Sequence, residues 1–432
     1  MKKSILTLVL FLAFLAMGIN QAYGQLGWTK DSRNPLLSGG GTGLWDSDIQ
    51  VPRVIFDADS ARYEMWYTGS APGGGVGFAV SNDGITWTKS VSRVLSPTAG
   101  TWDAGYLAAP CVIRENGQYK MWYTGSQSPG GTLGVNDTRI GYATSPDGRN
   151  WTKFTGNPVL SAGPGTWESG DVAYCSVIKS GGGYTMFYTG SPLNVNLCRI
   201  GRATSLDGIT WQKDTLRNPV MNIGAAGAWD GNIYLPAVLI HGGMYYLWYG
   251  AETVPGDNYP RIGQATSIDS GKTWVKYANN PILTEGAPGT WDQRWVELGS
   301  VVSRGDTVQM WYDGGAPPGY LSRVGRATAV VFTRVADEPL GVPDTYMLSQ
   351  NYPNPFNPST KIGFGVSDLG SSRVRLAVYD LLGREVALLV NERKAPGSYE
   401  VEWDASGLTS GVYVCRIVAG EYVAARKMLL MK

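Results

Sequence analysis

Charge of one sign, histidine, closely spaced cysteines and long apolar runs are all scarce in this 432-residue chain, and each shortage closes off a class of function. There are 36 basic and 35 acidic residues, so no basic excess exists to neutralise nucleic-acid phosphates. The one histidine, His241, precedes Gly242-Gly243 and reads as part of a hairpin turn, which argues against a Ser-His-Asp triad and a histidine zinc site. Four cysteines (Cys111, Cys175, Cys198, Cys415) show no Cys-x-x-Cys spacing, so no thiolate metal centre is expected. Cys111 and Cys175 fall near the same place in consecutive copies of a repeat, which leaves both a bridge and two buried thiols open. No metal ligands or cofactor are expected, apart from a structural calcium that sequence does not decide. Beyond the N-terminus no apolar run is long enough to span a bilayer, and no long segment carries a helical period.

The N-terminus has the layout of a secretory signal. Lys2 and Lys3 precede an apolar run from Ile5 to Ile19, and Ala22-Tyr23-Gly24 places small residues at the cleavage-determining positions. Residues 1–24 are expected to be removed, leaving a mature chain from Gln25.

Glycine and tryptophan, by contrast, are plentiful, at 58 and 16 residues. Both follow from a repeat of roughly sixty residues written five times. Each copy has a Trp-acid pair, a Pro-x-Val-like strand, Met-Trp-Tyr-Thr-Gly, Arg-Ile-Gly-x-Ala-Thr-Ser, then Asp-Gly-x-x-Trp. The closing aromatics are Trp28, Trp87, Trp151, Trp211, Trp274 and Phe332, and only Trp295 and Trp403 lie outside repeat positions. Tryptophan is therefore mostly scaffold. Stretches such as Tyr63 to Tyr67 and Gly141 to Ser145 alternate with period two between Gly and Asp turns, so four short strands fit each copy. Radial repetition of such units is the propeller solution to exposed sheet edges. An all-β, five-bladed β-propeller is expected over residues 25–335. The fifth copy lacks the last turn, so Trp28-Thr29-Lys30 is expected to supply its missing outer strand.

The turns Ser81-Asn82-Asp83-Gly84, Ser145-Pro146-Asp147-Gly148, Ser205-Leu206-Asp207-Gly208 and Ser267-Ile268-Asp269-Ser270-Gly271 suit an Asp that accepts backbone bonds and a Gly with positive φ. The last resembles the Asp-box hairpin of sialidases, which implies a folding role. Residues 336–345 read as a linker. Asn351-Tyr352-Pro353-Asn354-Pro355-Phe356-Asn357-Pro358, Val378-Tyr379-Asp380-Leu381-Leu382-Gly383-Arg384 and Gly411-Val412-Tyr413 follow. Together they resemble the type A sorting domain of the type IX secretion system over residues 346–432. The resemblance implies a small Ig-like antiparallel β-sandwich, recognition by that machinery, and a secreted or outer-membrane surface-attached protein of a Gram-negative, Bacteroidota-type bacterium.

The repeat itself, through Asn34-Pro35-Leu36-Leu37, Asn157-Pro158-Val159-Leu160, the Met-Trp-Tyr-Thr-Gly strands and Arg139 to Ser145, resembles the propeller glycosidases of glycoside hydrolase families 32, 43, 62, 68 and 130. The resemblance implies carboxylates projecting from inner strands into a central funnel. Two carboxyl groups flanking the bond are also what glycoside cleavage demands. An acid follows the Trp in every copy (Asp46, Asp103, Glu168, Asp230, Asp292), so as a class these read as scaffold, and function is sought where symmetry breaks. The family's Asp before the inner-strand Pro is replaced by Val51, Ala109 and Leu235. By analogy of blade order the catalytic candidates are Asp48 as base, Glu168 as acid and Asp103 as the tuning charge. Tyr106, Asp171, Tyr234, Arg294, Trp295 and Glu297 are the substrate-binding candidates, since aromatic faces and hydrogen-bonding groups suit a sugar. A secreted glycoside hydrolase-like propeller that acts on or binds polysaccharide is expected; the alternative is a non-catalytic carbohydrate-binding or adhesive propeller.

Overall fold

A computed structural model describes residues 27–330 and 346–431, apart from 42, 71–72, 130–136, 164–166, 181, 242–243, 254–258, 306, 318–320, 349, 352, 367–371, 381, 396 and 421. The expected signal segment, the linker and Phe332 lie outside the described residues. The chain divides into two compact units, one ending at Phe332 and one beginning at Thr333. No helix occurs among the described residues.

The first unit is built from four-stranded antiparallel sheets. The first comprises Ile49–Asp57, Arg62–Gly69, Val76–Ser81 and Thr88–Lys89; the second Tyr106–Glu115, Gln118–Ser126, Arg139–Ser145 and Thr152–Lys153. The third comprises Asp171–Ser180, Gly183–Ser191, Arg199–Ser205 and Gln212–Lys213; the fourth Asn232–His241, Met244–Glu252, Arg261–Ser267 and Val275–Lys276. The fifth joins Trp295–Arg304, Thr307–Gly315 and Arg323–Val330 to Thr29–Lys30 from the start of the chain. Each inner strand lies beside the next, and that of the fifth sheet lies beside that of the first, so the sheets form a ring. The second strands are sandwiched between neighbouring sheets, which is why Gly183–Ser191 is buried along its whole length.

Two devices close the ring. Thr29 pairs with Thr328 and Lys30 with Ala327, so the chain's beginning is the outer strand that the fifth copy lacks. The second-strand tryptophan also reaches the Asp-Gly turn of the following sheet: Trp66 Nε1 donates to the Gly148 carbonyl and Trp122 Nε1 to Gly208, both at 2.8 Å. Trp311 completes the circuit by donating to Gly84 of the first sheet at 3.3 Å. Trp248 faces the sheet without the turn. Its Nε1 is buried with no hydrogen-bond partner among the described residues, and its ring meets the edge of Trp28 instead. The turns are folding devices as expected. Asp83 accepts from the Ile85 and Thr86 amides at 2.8 Å, and those bonds hold its carboxyl near 2 against the opposing effect of burial.

The second unit is a sandwich of two sheets. Met347–Leu348, Ser359–Val366 and Gly397–Asp404 face Glu385–Lys394, Ser372–Tyr379, Gly411–Ala419 and Tyr422–Leu430. Ile362, Phe364 and Trp403 from one sheet share a core with Leu376, Val378, Ile417 and Met428 from the other.

Candidate functional site

The acids after the repeat tryptophans make a single joint, built five times. Asp103 accepts from Lys153 Nζ at 2.6 Å and from the Tyr123 hydroxyl at 3.1 Å. Glu168 does the same with Lys213 at 3.0 Å and Tyr188 at 2.8 Å. Asp46 pairs with Lys89, Asp230 with Lys276, and Asp292 with Lys30 of the closing strand. The acid, tyrosine and lysine of each joint come from one sheet, and the tryptophan stacks on that tyrosine, as Trp45 does on Tyr67. The joint thus braces a sheet internally, while its tryptophan packs against the core shared with the preceding sheet, as Trp167 does in the cluster that holds Trp122 and Ile140. Asp103 and Glu168 are corrected accordingly. Both carboxylates are buried and already balanced by a lysine, and neither acts on the acids at the funnel.

The funnel is lined where the five inner strands begin. Asp48, immediately before the first of them, accepts from the Ser322 amide of the fifth sheet, from Ser70 Oγ at 2.6 Å and from Gln50 Nε2 at 3.0 Å. Asp171 is wholly buried and accepts from the Thr138 amide at 3.0 Å and the Thr138 hydroxyl at 2.8 Å; Asn232 accepts from the Cys198 amide at 2.6 Å. All three tie one sheet to the one before it. Asp171 is therefore a tie rather than a sugar contact, which corrects that expectation.

A bulge follows in each strand. Val51, Ala109, Tyr174 and Leu235 have φ of 47°, 49°, 47° and 50°, in the left-handed region that costs non-glycine residues energy. The conformation turns each amide toward the preceding sheet. Thr68 Oγ1 accepts from Ala109, Thr124 Oγ1 from Tyr174 and Thr189 Oγ1 from Leu235, at 2.8, 2.9 and 3.2 Å. Those threonines are the Thr of Met-Trp-Tyr-Thr-Gly. In the fifth sheet the Thr is Asp313, which accepts from Val51 at 2.8 Å. In the fourth it is Gly250, which offers no side-chain acceptor, and the facing Leu298 shows no positive φ.

These two departures shape the site. A Cβ on Gly250 would stand 3.1 Å from Tyr234 Cε2, so glycine makes room for that ring. Tyr234 then presents its hydroxyl to Glu297 Oε1 at 3.3 Å. Glu297 retains some open surface but is surrounded by protein, and burial, Glu252 and Asp48 push its carboxyl up to about 7. Asp313, fully buried, is raised well above the usual range by burial, Glu297 and Asp48, against the opposing pull of Val51 and Trp295. Burial, Asp48 and Glu297 raise Tyr106 to about 12. Burial first, then Tyr106 and Glu297, raise Tyr174 as well.

Asp48, Glu252, Glu297 and Asp313 thus act on one another among Tyr106, Tyr174 and Tyr234. Of the sequence candidates, the structure brings together Asp48, Tyr106, Tyr234 and Glu297. Arg294 is held against Tyr259, its guanidinium 4.0 Å from the ring centroid and hydrogen-bonded to the hydroxyl. Trp295, half-buried, begins the fifth inner strand and lies against Gly315. Asp313 and Glu252 were missed. The signal for Asp313 was the loss of Thr from the second-strand motif, and that for Glu252 was an acid two residues later where Ser70, Ser126 and Ser191 stand in other copies. Among the described residues no group of three or more His, Cys, Asp or Glu could hold a metal ion, and no helix is long and apolar enough to cross a membrane.

Residues 350–431 match the family model of the secretion system C-terminal sorting domain. The second unit is a secretion sorting domain. This sorting domain marks the chain for export and accounts for the sandwich. Over 151 residues the chain is 33% identical to an uncharacterised protein of Mycobacterium tuberculosis strain CDC 1551, and 32% identical to one of strain H37Rv. The stretch is 33% of this chain and 46% of the CDC 1551 protein, so the chain spans about half the length of the curated relatives it matches. Among solved structures, a glycoside hydrolase aligns with a TM-score of 0.60 at 20% identity, covering 74% of this chain and 97% of that one. A structure described with the GH130 family of mannoside phosphorylases and β-1,2-mannoside hydrolases aligns at 0.55 and 17% identity, covering 72% and 97%. The β-1,2-mannobiose phosphorylase of Listeria innocua aligns at 0.54 and 13%, covering 71% and 97%. At these identities the likeness shows the fold, a propeller of the type found in glycoside hydrolases.

Proposed function

We infer that the propeller is a secreted glycan-cleaving site in which Glu297 donates the proton and Asp48 is the second carboxyl group. The observation that carries this is the convergence of Glu297 with Asp48 at the start of the inner strands, where protein surrounds Glu297 and the other acids act on it. Glycoside cleavage requires one carboxyl group still protonated near neutrality, to protonate the leaving oxygen, and another to activate water or attack carbon. A carboxyl raised to about 7 suits the first role. Tyr106, Tyr174 and Tyr234 offer ring faces to a sugar. Among the described residues the strongest influences on Glu297, Asp313 and these tyrosines are burial and other acidic groups, so the mouth suits a neutral glycan better than an anionic one. Export by the type IX route to the outer surface of a Bacteroidota-type cell belongs to the same reading.

One observation favours non-catalytic sugar binding as the second reading. Asp48 already accepts three hydrogen bonds from its own scaffold. A panel of neutral aryl glycosides and oligosaccharides, tested with wild type, Glu297→Gln and Glu168→Gln, separates the two. Hydrolysis predicts a loss of about 10²–10⁴-fold in kcat/KM for Glu297→Gln, with kcat retained by folded Glu168→Gln. Unchanged turnover in Glu297→Gln removes that residue from the mechanism. Saturable binding with no turnover on any substrate moves the assignment to the second reading.

A further inference from the structure

The inner strands carry a second departure from the repeat that the glycan site does not use. Two residues past the positive-φ position of the inner strands, Ser176 accepts from the Val238 amide at 3.0 Å and its counterpart Ser300 from the Val54 amide at 2.9 Å. In the second sheet this position is Cys111, whose Sγ takes the Val177 amide at 3.2 Å. One position earlier, where the first, second and fourth sheets have Pro52, Pro110 and Pro236, the third sheet has Cys175. Either cysteine alone would be an ordinary small buried residue. They occur on neighbouring inner strands, both buried, and they pack into the same core cluster between the second and third sheets. A third departure accompanies them: the first sheet has Arg53 at the serine position, and its positive charge acts on both sulfurs. Cys198 and Cys415 have no cysteine neighbour acting on them.

We propose that Cys111 and Cys175 form a disulfide in the exported protein, a covalent staple between the inner strands of the second and third sheets. The sorting domain sends the chain out of the reducing cytoplasm, into compartments where disulfides form and persist. The thiolate is the attacking species, and burial opposes it at Cys111. The neighbouring Cys175 and the Arg53 guanidinium outweigh burial and favour the Cys111 thiolate. During folding, Cys111 attacks a disulfide oxidant, forming a mixed disulfide and expelling one thiolate of the oxidant. Cys175 then gives up its proton and attacks the Cys111 sulfur, expelling the second. Two thiols lose two electrons and two protons, and the oxidant disulfide is reduced to two thiols. The bond closes a long loop spanning most of one repeat, the kind of constraint that restricts the unfolded chain most.

The test uses the full mature chain, unfolded and reduced, then refolded with mixed reduced and oxidised glutathione. Thiols are counted by alkylation after denaturation, and peptides are mapped without reduction. The expected result is two free thiols, Cys198 and Cys415, with the peptides of Cys111 and Cys175 joined, and a melting midpoint several degrees higher than that of the reduced protein. Cys111→Ser should fold, because serine serves at this position in the third and fifth sheets, and should lose the redox-dependent shift. The double variant Cys198→Ala/Cys415→Ser should keep it. Four free thiols after oxidative refolding, or a bond that includes Cys198 or Cys415, would overturn the proposal.

Discussion

Ring closure depends on one lysine, and its removal is expected to be costly in a way that can be calculated. Lys30 Nζ donates to Asp292 at 2.6 Å and to the Thr284 carbonyl at 2.7 Å, from a strand of two residues. The Asp292 side chain is only 3% exposed. Lys30→Met would strand that charge, and breaking a fully buried pair from one side costs about 3–5 kcal/mol. Asp292 would keep the Tyr312 hydroxyl at 3.2 Å and Thr290 Oγ1 at 3.1 Å, and the lysine is 28% exposed, so water can reach part of the site. The expected loss is therefore about 2–3 kcal/mol, or about 3–5 °C in the melting midpoint of a unit this large. Scanning calorimetry reads it directly. Lys30→Met/Asp292→Asn should recover about half of the loss, since no buried charge is then left without a partner. Amide exchange at Thr29 and Lys30 should rise in the single variant as the closing strand frays. A single variant melting within about 1 °C of wild type, or a double variant no better than the single, would refute this account of the joint.

Stability should also report on the funnel. Folded Glu297 keeps its proton up to about pH 7, whereas an unfolded glutamate releases it near about 4.3. Between those values the native state binds more protons than the unfolded state, so wild-type stability should fall as pH rises through this window. Glu297→Gln should flatten that slope, leaving the part that the raised Asp313 contributes, and exceed wild type at pH 8 by on the order of 1–3 kcal/mol in urea unfolding; identical profiles would show that the Glu297 carboxyl is not raised. The inter-sheet tryptophans offer a matched pair. Trp66→Phe removes the bond to Gly148 and should cost about 1 kcal/mol more than Trp248→Phe, whose indole has no acceptor among the described residues. Phenylalanine already serves at this place as Phe187. Equal losses in the two variants would count against the hydrogen bond as the closing device.

The sequence by itself determined whatever is repeated. Period-two strands, the Asp-Gly turns and the Trp-acid pairs recur at fixed spacing, so the all-β propeller and the closing role of Thr29–Lys30 could be read before any coordinates, while the sandwich followed from the sorting-domain resemblance. Repetition also correctly marked the Trp-acid pairs as scaffold, yet Asp103 and Glu168 were kept as catalytic candidates. Only the structure showed the lysine and tyrosine that each shares with its three counterparts. The functional cluster was harder to read, because its members come from different strands of different sheets. Glu297 was visible as an extra acid on an inner strand. Asp313 and Gly250 stand in the sequence only as two replacements of the Thr in a repeated motif. Their meaning lies in what faces them across the sheet boundaries: the Val51 amide for one, the Tyr234 ring for the other. A carboxyl group's readiness to hold a proton depends on how much water its surroundings exclude and which charges lie within a few ångströms. Spacing along the chain sets the strands and their order, but those distances exist only once the ring has closed.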